Sequence, residues 1–169
     1  MPVLVVVTGP PGASKSTLAR VLANELRLPL VSKDDVKETL FESLGWSDRD
    51  WSRRLGAAAY DLLFLVAGEL LRSGVSAIVE ANFANSVPFD RLPSHRVVQV
   101  FPRAGGRPAR ALREPPAASR SRRRRDARGD RATPAGRRVA ALDLPGPLLE
   151  LDTSRPLDAR AVAAAILGT

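Results

Sequence analysis

The sequence predicts an α/β fold in three layers, a mostly parallel five-stranded sheet between two layers of helices. Three observations predict it. Short apolar runs rich in β-branched residues recur along the chain, as in "VLVVV" and "VSAIVE". Between them lie stretches whose leucines and alanines keep a helical period. Gly, Pro or Asp closes most of these runs. Strands alternating with helices pack as a parallel sheet. A strand covered on both faces reads as an unbroken apolar run.

The elements follow in order. "PVLVVV" is a short buried strand stopped by Gly9. After a glycine-containing loop, Leu18, Leu22 and Leu26 recur every four residues beside Ala19 and Ala23, which makes one helix stripe ending near Pro29. "LPLVS" is a second strand. "DDVKETLFESLG" is a helix with acids in its first turn and Gly45 at its end. Ser47 and Asp50 resemble a capping box ahead of a long helix. Leu55, Ala59, Leu62, Leu63, Val66, Leu70 and Leu71 form its apolar stripe, and Gly74 stops it. "VSAIVEANF", "RVVQVF" and "PLLELDTS" are the third, fourth and fifth strands. A last helix runs from about Asp158 to Leu167.

A length of 169 residues predicts a single domain, 1–169. With no cysteine, disulfides and thiolate metal sites are excluded. The lone His95 sits in the polar stretch "PSHR" and reads as a surface histidine. No run reaches the ~18 apolar residues of a membrane span, and "VLVVV" is too short for a signal segment. A soluble, cytoplasmic monomer with no membrane contact is expected. The net charge of +8 is unevenly spread. Residues 102–138 hold 13 arginines and 3 acids, a net of +10, so the remainder carries −2.

Open parallel sheets bind ligands beyond the carboxyl ends of their strands. The polar residues that interrupt the apolar runs should therefore carry the chemistry. They are Gly9 to Ser16, then Asp34 and Asp35, then Glu80 and Asn82. The stretch "GPPGASKST" follows a buried strand and opens a helix. A glycine, four residues, a second glycine, then Lys and Ser or Thr is the form of a phosphate-binding loop. Backbone N–H groups wrap the phosphates, helped by the helix dipole. Gly9, Pro10, Pro11, Gly12, Ala13, Ser14, Lys15, Ser16 and Thr17 are the predicted ATP-binding residues, within a P-loop NTPase fold. Lys15 would reach the β- and γ-phosphates, and the Ser16 hydroxyl would ligate Mg²⁺. Ser14 departs from the pattern, which expects glycine. A Cβ there would crowd the β-phosphate or strain the loop by on the order of 1–3 kcal/mol. That amounts to binding about 5- to 150-fold weaker.

With "GPPGASKST", "SKDDVKETL" and "IVEANF" in this order, the chain resembles the small P-loop kinases, a nucleoside-kinase-like group. These include the kinase domain of phage polynucleotide kinase, zeta toxins, chloramphenicol phosphotransferase and bacterial AAA-domain ATP-binding proteins. The resemblance covers about residues 1–100 and 139–169. It implies that Asp34, with Lys15, is catalytic, as the general base for the acceptor hydroxyl. It also places Lys37 where polynucleotide kinase has an arginine that binds substrate phosphate. The chemistry of Asp34 agrees, since a carboxylate at a strand end can align a hydroxyl for in-line attack. The competing reading of Asp34 and Asp35 is capping of the following helix; Asp35 could also assist metal hydration. Glu80 is expected to hold Mg²⁺ through water, or else to serve as a strand-end hydrogen bonder. Asn82 is expected to touch the acceptor. Trp46 and Trp51 either wall an acceptor pocket or pack helices. Arg53 and Arg54 read as a solvated face.

Small P-loop kinases close an arginine-bearing lid over ATP. The lid's place holds residues 102–138, of which 30 of 37 are Arg, Ala, Pro or Gly, so no ordinary lid helix can be drawn. Three readings remain open: a cationic segment for nucleic acid, an unusual lid with phosphate-clamping arginines, or a stretch of GC-rich gene read in a shifted frame. The expected function is Mg·ATP-dependent transfer of the γ-phosphoryl group to a small-molecule or nucleic-acid hydroxyl acceptor. The alternatives are an ATP-binding protein with little transfer, impaired at loop and lid, and a cationic nucleic-acid-binding module.

Overall fold

The computed structural model describes residues 1–83, 88–103, 140–154 and 156–168. Its strands are β1 (Val3–Val7), β2 (Leu30–Ser32), β3 (Ala77–Glu80), β4 (Arg96–Arg103) and β5 (Leu148–Asp152). Its helices are α1 (Lys15–Leu26), α2 (Lys33–Leu44), α3 (Arg49–Arg72) and α4 (Ala159–Gly168). The sheet order is β2-β3-β1-β4-β5, and every pairing is parallel. The fold is thus the expected three-layer α/β P-loop architecture, with a wholly parallel sheet. Among the described residues, no helix is long and apolar enough to cross a membrane.

β1 is the central strand, and alternation along it divides the core in two. Leu4 and Val6 point to one face, where they meet Leu63, Ala67 and Leu71 of α3. Val5 and Val7 point to the other, against Leu18, Ala19 and Leu22 of α1 and Val162 and Ile166 of α4. Burial on both faces explains the unbroken apolar run in β1. α2 buries no residue fully and packs on α3 as an outer element.

The stripe of α3 is narrower than its apolar residues suggest. Leu55, Ala59, Leu63, Ala67 and Leu71 are buried, one row at four-residue spacing. Leu62 and Val66 are 37% and 43% exposed. α3 meets the sheet along one flank, so Leu62 and Val66 on the next row face outward. The cap also differs from the capping-box expectation. Asp48, not Ser47, is the N-cap, and its carboxylate accepts from Trp51 N–H at 2.7 Å. α2 starts at Lys33 behind Ser32, so neither Asp34 nor Asp35 is its cap. Both lie in its first turn, where the helix dipole favours acids. His95, read as a surface histidine, is half-buried: its Nδ1 lies 2.5 Å from the Pro93 carbonyl oxygen, and its Nε2 is buried without a partner among the described residues.

Residues 140–147 are held against β4 by an unusual device. The buried Gln99 side chain donates to the Leu142 carbonyl at 3.0 Å and accepts from the Leu142 N–H at 2.7 Å. Gly146 then passes so close that a Cβ would collide with the Val97 carbonyl oxygen. These contacts lead the chain into β5 alongside β4. The basic segment, apart from Pro102 and Arg103 in β4, lies outside the described residues, and so do the three readings of it.

Candidate active site

The loop after β1 forms where backbone conformation demands it. Gly9 turns the chain beside β4; a Cβ there would lie 3.0 Å from the Pro102 carbonyl oxygen. Gly12 has φ +79°, and Ala13 N–H bonds back to the Pro10 carbonyl at 3.3 Å. Ser14 is the N-cap of α1 at φ 58°, ψ 26°, a left-handed conformation, and makes no side-chain cap bond. The Ser14 hydroxyl thus does not cap α1, and the start of a helix is where backbone N–H groups and the dipole favour an anion. Lys15, the first residue of α1, is only 8% exposed. Its ammonium donates to the Pro10 carbonyl at 2.9 Å. Burial holds its pKa below the usual lysine value, while the charges of Glu80 and Asp34 raise it. Ser16 and Thr17 follow, half-buried, in the first turn.

Two carboxylates share this edge. Glu80 ends β3 in register with Val7 of β1 and Ser32 of β2. It is 2% exposed and accepts from the Ser32 hydroxyl at 2.7 Å. Burial pushes its carboxyl above the usual range and Asp34 and Asp35 add to that, while the Ser32 hydrogen bond and Lys15 oppose it. Asp34 sits half-exposed in the first turn of α2, with Lys33 Nζ 3.5 Å away. Asp35 points elsewhere: Arg20 of α1 grips both its oxygens, at 3.0 and 3.2 Å. That pair joins α1 to α2.

The acceptor-side residues are more scattered. Lys37 donates to Ser52 of α3 at 3.0 Å and lies 5.3 Å over the Phe41 ring, so it faces the crevice between α2 and α3. Asn82 is exposed just past β3, and its carbonyl accepts from the Tyr60 hydroxyl at 2.7 Å. Tyr60 is the residue that sequence reasoning missed. Burial raises its pKa, and so do the charges of Asp34 and Glu80. In the sequence it is one aromatic within an apolar helix, with nothing to mark it. Trp51 clamps the α2–α3 turn through Nε1 to the Gly45 carbonyl, 3.1 Å, with Arg54 over its ring. Trp46 is 63% exposed. A cavity of about 510 Å³ lies off the phosphate loop, between α3 and residues 88–93, with Tyr60, Phe64 and Leu92 in its wall.

The donor set can be tested against Mg·ATP. No group of three His, Cys, Asp or Glu among the described residues could hold a metal alone. Mg²⁺ does not need one: it keeps several waters and takes phosphate oxygens with one or two protein ligands. A Ser16 hydroxyl and a buried Glu80 carboxylate beside an uncapped helix start fit that habit.

Comparisons with known proteins bear on the family and the fold. A family model described as an AAA domain matches residues 4–143. The structure of a candidate kinase from Chloroflexus aurantiacus j-10-fl is similar at 38% identity and TM-score 0.78, over 99% of this chain and 94% of that one. An unliganded sugar kinase from Janibacter sp. HTCC2649 shares the fold at 19% identity and TM-score 0.56, over 99% of this chain and 95% of that one. A cytidylate kinase from Ignicoccus hospitalis is 50% identical over 44 residues, 26% of each chain, so this chain matches about a quarter of that relative's length. The chain belongs to the AAA-domain family, as a small P-loop kinase.

Proposed function

We propose that the protein transfers the γ-phosphoryl group of ATP to a hydroxyl acceptor, as a cytoplasmic single-domain monomer. The observation that carries this is that Lys15, Glu80 and Asp34 gather at one sheet edge: Glu80 ends β3 in register with Val7 and Ser32, Lys15 opens the helix that follows the loop after β1, and Asp34 lies in the first turn after β2. The loop 9–17 holds the phosphates, and Lys15 leaves the Pro10 carbonyl to meet the β- and γ-oxygens. Mg²⁺, when bound by Ser16 and through water by Glu80, would neutralise charge between those phosphates. Asp34 accepts the acceptor's proton as its oxygen bonds to Pγ and the bridge to the β-phosphate breaks, releasing ADP. Lys37 and Asn82 hold the acceptor, which is a small molecule or a nucleic-acid end.

One observation favours a second reading, an ATP binder with little transfer. Ser14 occupies the left-handed position that the loop motif reserves for glycine. A panel of hydroxyl compounds incubated with γ-labelled ATP separates the two. Label on an acceptor, absent with Asp34→Asn, supports the kinase. ATP binding with no label on sugars, nucleosides, aminoalcohols or polynucleotide ends supports the second reading. Binding to DNA or RNA that weakens steeply with salt, with no ATP binding, would instead point to a nucleic-acid module.

A further inference from the structure

Tyr60 stands where three pieces of the site meet, and none of its contacts serves the core alone. Its hydroxyl donates to the Asn82 carbonyl at 2.7 Å. Its ring leans on Phe83, centroids 6.0 Å apart, so one side chain grips two consecutive residues after β3. On the ring lies the Lys33 ammonium, 5.5 Å from the centroid. That ammonium is 3.5 Å from Asp34 Oδ1, and the Lys33 side chain is 18% exposed. A cation between an aromatic face and a carboxylate is confined from both sides. The attraction to the ring is worth ~1 kcal/mol or more when partly desolvated.

We propose that Tyr60 is a positioning residue for Asp34, acting through Lys33, and that its bond to Asn82 holds α3, and with it this pair, to the end of β3. The inference rests on the kinase reading, in which Asp34 takes the acceptor proton. A lysine next to a carboxylate on a helix start would otherwise swing into solvent, since its four-carbon stem is flexible. The ring denies it that freedom, so the ammonium stays beside the Asp34 carboxylate and holds its orientation. Tyr60 touches no reacting atom in this account. Its effect belongs in turnover and not in ATP affinity, because the phosphate loop makes none of these contacts.

The test is a double-mutant cycle read in two ways. The first readout is ATP hydrolysis with water as acceptor, beside ATP affinity by calorimetry. Tyr60→Leu and Lys33→Met should each lower turnover about tenfold, as small misplacements of a catalytic group do. The double variant should be no slower than Lys33→Met alone, and ATP affinity should hold in all three. Tyr60→Phe keeps the ring and loses only the Asn82 bond, so it should fall between wild type and Tyr60→Leu; it is also the variant that tests the idea if Tyr60→Leu folds poorly. The second readout needs no turnover. The Lys33 Hε signal in a carbon–proton NMR spectrum should lie upfield in the wild type and shift on Asp34→Asn. In the Tyr60→Leu protein it should lose the upfield shift and respond little to Asp34→Asn. Additive losses, a Tyr60→Leu protein as fast as wild type, or a Lys33 signal indifferent to Asp34 overturns the proposal. Asp34→Asn with full activity removes the kinase reading instead, a result distinct from an active Tyr60→Leu beside an inactive Asp34→Asn.

Discussion

Ser14 shows how one residue can be read and its geometry still be news. The motif marks it as the one non-glycine in a glycine place, and the structure puts it at φ 58°. A left-handed non-glycine residue costs about 1–2 kcal/mol, of which the greater freedom of glycine in the unfolded chain returns part. Ser14→Gly should therefore stabilise the protein by about 1 kcal/mol and raise its melting midpoint by roughly 2–4 °C. It should also tighten Mg·ATP binding in calorimetry by removing the Cβ; a lower midpoint with weaker binding would contradict both arguments. Glu80 makes a different statement. Burial raises its carboxyl pKa, so the ionised form is a burden on the folded state at neutral pH. The stability linked to its protonation is fully present below the unfolded-state value and is lost as pH rises through the folded one. Glu80→Gln keeps an oxygen for the Ser32 hydroxyl and should melt higher than wild type at pH 7, with the gap closing towards pH 4. An equal or lower midpoint at pH 7 would mean that the attraction to Lys15 outweighs desolvation. That Glu80 ends a strand is visible in the sequence; its bond to Ser32 is not, since it depends on the β2–β3 register.

Among the elements, the interiors were legible and the ends were less so. The apolar periods locate α1 and α3, and the β-branched runs locate the strands, because burial itself imposes those patterns. The capping box at Ser47 and Asp50 fails by one residue, because Asp48 offers the same chemistry and Arg49 is the first residue with helical geometry. Asp48→Ala should cost about 1 kcal/mol in thermal or denaturant unfolding, and Ser47→Ala close to nothing. The reverse order would restore the original cap. The docking of residues 140–147 on β4 could not be read, because it depends on one glutamine side chain and one glycine far apart in the chain. Gly146→Ala should destabilise by about 3 kcal/mol, since its Cβ meets the Val97 carbonyl where the backbone has little room to move. Gln99→Leu should also destabilise, by about 2 kcal/mol, because it strands the buried Leu142 N–H and carbonyl. A Gly146→Ala protein as stable as wild type would show that this segment can lift from β4.

The whole molecule places β1 between β3 and β4, so the phosphate loop, Glu80 and the start of α2 converge at one edge. The sequence supplies the number of strands and their parallel sense, but strand order comes from pairings between distant runs of nearly identical composition. The candidate site follows the same division. Gly9, Lys15, Ser16, Asp34 and Glu80 are visible because polar residues interrupt apolar runs; Tyr60 and Lys33 are visible only once α2 and α3 lie side by side. The central claim is that the loop 9–17 binds the triphosphate while Asp34 serves the acceptor. Calorimetric titration of Mg·ATP into the wild type, Lys15→Ala and Asp34→Asn tests it most directly. The account predicts equal binding to wild type and Asp34→Asn and none to Lys15→Ala. No binding to the wild type, or undiminished binding to Lys15→Ala, would contradict it.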